Sequence, residues 1–89
     1  MNRTDKEVLK AYNKVCRNQN EKKTLDIETT RENGINSLSI VSLILDIEDV
    51  FEINLDDSLK EIRSAKTLQE IADIVNRVVT SKKLEWSWQ

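Results

Sequence analysis

The sequence predicts an all-α fold, a four-helix bundle with three long helices, one short one and a long first connection. Three observations predict it. The 89 residues contain no proline and one glycine, so little interrupts a helix. Hydrophobic residues (38%) and charged residues (34%) alternate in long stretches with a helical period. Those stretches are bounded by residue patterns that start helices.

Thr4-Asp5-Lys6-Glu7 fits a capping box, with the threonine oxygen and the glutamate satisfying each other's backbone amides. Val8, Leu9, Tyr12, Val15 and Cys16 follow as one apolar stripe, with Lys6, Lys10, Lys14 and Arg17 on another face, predicting a first helix over 4–18. Residues 19–35 are polar and aperiodic. Asn18-Gln19-Asn20 marks the helix exit, and Asn33-Gly34 marks a turn. Leu25, Ile27 and Ile35 are the apolar residues expected to pin this loop to the bundle; a loop so long in a compact domain suggests a functional element.

A second helix is expected over 37–52 with Asn36 as its N-cap. At about 100° per residue, Ile40, Leu43, Ile44, Ile47, Val50 and Phe51 fall on one side, the core side. Leu38, Val41 and Leu45 then point away from it, among Ser42, Glu48, Asp49 and Glu52. Apolar side chains among acids on an outward face suggest a docking strip for a partner; the alternative is that Leu38 and Val41 tuck under the loop. A short helix near 57–63 is expected to be capped by Asp56 or Asp57, with Leu59 and Ile62 inward. Thr67-Leu68-Gln69-Glu70 is a second capping box, and Leu68, Ile71, Ala72, Val75, Val78 and Val79, with Ile74 at the edge, predict a last helix over 68–82. The expected domain covers 1–83. Residues 84–89 are a tail whose tryptophans, Trp86 and Trp88, either pack back or fray.

Charge bounds the function. The net charge is −2, against a nucleic-acid binder that needs a broad basic face. From Glu32 through Leu59 there is no lysine or arginine but seven acids, Glu32, Asp46, Glu48, Asp49, Glu52, Asp56 and Asp57. Such a surface either steers partners that carry basic patches or is an ordinary solvated face. The single cysteine, Cys16, excludes an intramolecular disulfide and is expected to be a structural thiol in the core. With no signal-peptide core and no long apolar run, a cytoplasmic monomer without membrane partners is expected.

Catalytic chemistry finds few footholds. No histidine is present, so serine–histidine and cysteine–histidine pairs and imidazole metal sites are excluded. One glycine cannot build a phosphate-cradling glycine-rich loop, and the acids lack the spacing of a calcium loop, so no metal site is expected. Asp56-Asp57 reads as helix-start chemistry rather than as an acid/base dyad. A non-enzyme is expected. That leaves Ser37: a serine in a first helical turn lies beside unpaired amides and the positive end of the helix dipole, where an attached phosphodiester would be held, although on position alone such a serine is more often just part of a cap.

The pattern around Ser37 resembles the acyl carrier protein family, whose second helix opens with Gly-x-Asp-Ser-Leu and continues with aliphatics, an acidic pair and a phenylalanine. The matching residues are Gly34, Ser37, Leu38, Val41, Leu43, Ile44, Ile47, Glu48, Asp49 and Phe51, then Ile53, Leu55 and Asp57, and the likeness extends from Thr67 to Val75. It covers roughly residues 5–80. It implies a four-helix bundle in which Ser37 carries 4′-phosphopantetheine derived from coenzyme A, with acyl groups held on the terminal thiol. It implies as partners a phosphopantetheinyl transferase and acyl-transferring or synthase enzymes with basic patches, docking on Asn36, Leu38, Val41, Leu45, Glu48 and Asp49. Asp57-Ser58-Leu59 is the literal tripeptide, but only 31 residues follow Ser58, and Ala72 stands 14 residues on where Ser37 has Phe51.

Departures from the family pattern bear on pathway. Asn36 keeps the capping oxygen of the usual aspartate without its charge, Ser39 and Ser42 replace frequent acids, and Thr29-Thr30 stand where a phenylalanine is common. These changes favour polyketide or other specialised acyl synthesis over housekeeping fatty-acid synthesis. Ile44, Ile47, Ile62, Leu68 and Ile71 either line a space for an acyl chain or are plain core. An unmodified adaptor bundle and an aminoacyl or peptidyl carrier are the other readings.

Overall fold

The computed structural model describes residues 2–16 and 22–87, with side chains described up to Lys82. Among these residues the chain forms four helices: α1 (Arg3–Cys16), α2 (Ser37–Phe51), α3 (Leu59–Ser64) and α4 (Leu68–Ser87). Single 3-10 turns at Arg31–Asn33 and Asp56–Ser58 precede α2 and α3. α1 packs against both α2 and α4, and α3 packs against α4. No described helix is long and apolar enough to cross a membrane.

The core is the sum of the helical stripes. Val8, Leu9, Ala11 and Tyr12 of α1, Ile40, Leu43, Ile44 and Ile47 of α2, Ile62 of α3, and Leu68, Ile71, Ala72 and Val75 of α4 are buried together. Isolated helices of these lengths are marginal in water, so packing of the stripes rather than intrinsic propensity holds the four in place. Val50 departs from the expected core set. It lies at the edge of the apolar arc of α2 and stays 38% exposed, while Phe51 packs partly against the core.

Two expected caps are replaced by other residues. Thr4 does not cap α1: it lies one turn before Val8 on the buried stripe, and its hydroxyl donates to Asn76 Oδ1 of α4 at 3.2 Å. Asn2 takes the capping role, its Oδ1 accepting from the Asp5 amide at 2.8 Å. Neither Asp56 nor Asp57 caps α3 with its side chain. Asn54 Oδ1 instead accepts the Asp56 amide at 2.7 Å, and buried Leu55 precedes the 3-10 turn. The Thr67–Glu70 box forms as expected, Thr67 N donating to Glu70 Oε2 at 3.0 Å and Glu70 N to Thr67 Oγ1 at 3.3 Å. α4 continues beyond the expected end at 82 to Ser87, since Ser81-Lys82-Lys83-Leu84-Glu85 contains nothing that stops a helix. The exit at Asn18-Gln19-Asn20 and the Trp86 and Trp88 side chains lie outside the described residues.

The long loop is a built wall. Leu25 and Ile35 are buried, and Ile27 packs against the core. Its backbone runs antiparallel to the α3–α4 junction. Thr29 N donates to Lys66 O at 2.9 Å, and the first amides of α4, Leu68 and Gln69, donate to Ile27 O at 3.0 Å and Leu25 O at 2.9 Å. Those amides have no partner within the helix, so the loop satisfies donors that would otherwise be orphaned. The Thr29 hydroxyl adds a bond to Ala65 O at 2.6 Å.

Candidate functional site

Gly34 sets up the site. With φ at 85°, a left-handed value suited to glycine, it ends the 3-10 turn and aims the chain into α2. Asn36 then caps α2, its Oδ1 accepting from Leu38 N and Ser39 N, each at 3.0 Å. Ser39 closes a reciprocal box: its Oγ accepts from Asn36 N at 2.8 Å and donates to Gly34 O at 2.7 Å. Ser39, which reads in the sequence as a lost acid, is therefore half of the cap.

Ser37 is the first residue of α2 and is exposed; its hydroxyl makes no hydrogen bond among the described residues. The rival serine, Ser58, is 9% exposed and sits inside the 3-10 turn ahead of α3. Leu38, Val41 and Leu45 are 83%, 43% and 59% exposed, so none of them tucks under the loop. Asp49 is exposed beside them. Glu48 is only half-exposed: its carboxylate accepts from Leu55 N at 2.8 Å and braces the segment leaving α2. Asp46 is paired with Lys14 Nζ of α1 at 3.1 Å.

A hollow of about 260 Å³ opens beside Ser37. Its walls are Thr29 and Ile35 from the loop, Asn36, Ser37 and Ile40 from the start of α2, and Ile62, Arg63 and Ala65 from α3 and its exit. This is not the space between α2 and α4 that the sequence suggested. Ile44, Ile47, Leu68 and Ile71 are buried core, and of that set Ile62 alone lines the hollow. Arg63 has no signature of its own in the sequence; it lies 26 residues from Ser37 on a helix too short for periodicity to orient. Among the described residues no cluster of acids, cysteine or histidine could hold a metal ion.

Two curated proteins resemble this chain. Both bear the name acyl carrier protein. The one from Phaeodactylum tricornutum is 36% identical over 52 residues, 58% of this chain and 62% of that protein. The one from Exiguobacterium sibiricum is 33% identical over 57 residues, 64% of this chain and 66% of that protein. The chain thus spans just under two thirds of the length of the acyl carrier proteins it matches. No family model matches it. No solved structure matches it either.

Proposed function

We propose that this chain is a carrier protein, with Ser37 as the attachment point for 4′-phosphopantetheine taken from coenzyme A. The observation that carries the reading is an exposed hydroxyl on the first residue of α2, without a hydrogen bond among the described residues, followed on the same helix by an outward aliphatic strip. The similarity to two acyl carrier proteins supports it. The residues present fit the group: the hydroxyl is free for esterification, and the adjoining hollow gives the first atoms of an arm somewhere to lie. When bound, the arm supplies a terminal thiol on which acyl groups are held as thioesters.

The protein's own contribution is presentation. Gly34 and the Asn36–Ser39 box set the backbone of residue 37 at the start of α2, so a transferase meets its hydroxyl at a defined place on the surface. Leu38, Val41 and Leu45 offer an apolar face, and the exposed acids Asp49, Glu52, Asp56 and Asp57 add negative charge that suits enzymes with basic patches. Neutral Asn36, Ser39 and Ser42 near the attachment point favour partners of specialised acyl or polyketide synthesis over those of fatty-acid synthesis. Incubation with coenzyme A and a promiscuous phosphopantetheinyl transferase is expected to add one phosphopantetheine to the protein and none to Ser37→Ala. Absence of the gain across several transferases, with partner binding indifferent to Ser37→Ala, would leave an unmodified adaptor.

A further inference from the structure

We infer that Arg63 is the charge partner of the phosphodiester on Ser37, closing on it across the hollow between the loop, α2 and α3. The inference rests on the carrier reading and assigns a residue that the reading does not contain.

An anion at a helix start is ordinarily held by the free amides of the first turn. Here the Leu38 and Ser39 amides already donate to Asn36 Oδ1 at 3.0 Å each. The cap that positions Ser37 therefore uses up donors a phosphate would need. No charged side chain lies between Gly34 and Leu45, so α2 supplies no cation either. Among the described residues, Arg63 is the one charged residue lining the hollow that Ser37 also lines.

Arg63 is also uncommitted. It is exposed and makes no hydrogen bond, ion pair or ring contact among the described residues. Two other arginines are engaged: Arg77 is paired with Glu61, and Arg3 stands 5.4 Å from the Phe51 ring centroid. A guanidinium presents a planar fork of donors that matches phosphate oxygens two at a time. The wall behind it is fixed, since Thr29 ties the loop to Ala65 O at 2.6 Å. The negative field of α2 begins only at Asp46, nine residues beyond Ser37 and about 13 Å along the axis.

The test uses the loaded protein, with loading verified by intact mass, in wild-type, Arg63→Lys and Arg63→Gln forms. Nitrogen NMR reads the Arg63 Nε–H resonance, and phosphorus NMR reads the diester. Loading is expected to shift the Arg63 resonance. Arg63→Gln is expected to lower the docked fraction of the phosphodiester roughly two- to five-fold, as an exposed ion pair allows, with Arg63→Lys in between. High salt should erase the difference. A loaded protein whose Arg63 signal stays still, and whose phosphorus signal is the same in Arg63→Gln, overturns the inference and leaves the carrier reading standing. So does a shift that appears only when a dicarboxylic acyl group is on the arm, which assigns Arg63 to a cargo carboxylate. Failure of every form to load sinks the carrier reading itself, and mass alone reports that.

Discussion

At residue 34 backbone and side-chain demands coincide. The φ of 85° disfavours any residue with a Cβ, and a Cβ placed there would stand 3.0 Å from Cys16 Sγ. Gly34→Ala is therefore expected to lose about 1–3 kcal/mol of stability in urea denaturation, with the midpoint falling and the slope unchanged. Its neighbour Cys16 donates weakly to Gly34 O at 3.6 Å and is partly buried, which pushes the thiol above its ordinary range. A raised pKa means less thiolate at any given pH. Iodoacetamide is thus expected to alkylate Cys16 in the folded protein more slowly than in urea near pH 8, the gap narrowing as pH rises. The expectation of a structural thiol on the apolar side of α1 agrees with this placement. Its contact with the Gly34 turn was not legible, because 18 residues separate them and no local pattern encodes the approach.

The helix ends show what sequence reads well and what it misses. Asn36 as a cap and the Thr67–Glu70 box were legible, since caps depend on residues three apart on one chain. Ser39's return bond to Asn36 is equally local, but comparison with a family pattern masked it as a missing acid. Thr4 failed as a cap because a tertiary partner, Asn76, claimed its hydroxyl. At the far end of α2, Glu52 adopts φ 53° and ψ 47°, a left-handed cap in a residue that is not glycine, with its amide donating to Glu48 O. Glu52→Gly should relieve that conformation and, net of the extra freedom gained by the unfolded chain, raise stability by about 0.5–1 kcal/mol in thermal or urea unfolding. A fall in stability would mean that the Glu52 side chain makes a contribution larger than its backbone cost.

Across the whole molecule, charge and apolar exposure are arranged by face. α2 turns Leu38, Val41 and Leu45 to solvent, while its other side closes on α1 and the core. Replacing Leu38 or Leu45 by serine is expected to change folding stability by no more than about 0.5 kcal/mol, since neither side chain is packed. If the proposed carrier role holds, the same changes should weaken binding of the loaded protein to an acyl-transferring enzyme by more than about 1 kcal/mol each, measured by calorimetry. Equal effects on both properties would show that the strip belongs to the fold and not to an interface.

What the sequence determined by itself is everything governed by near neighbours along the chain. That includes four helices and their apolar stripes and the start of α2. The tertiary structure decided how distant segments meet: the loop laid along the α3–α4 junction, the core packing of Ile44, Ile47, Leu68 and Ile71, and the hollow that brings Arg63 to the same space as Ser37. The physical reason is one of range. Hydrogen-bonded helical turns and caps span three or four residues and leave a periodic record, whereas the approach of residues 37 and 63 follows from burying several stripes at once, and no stripe alone records it.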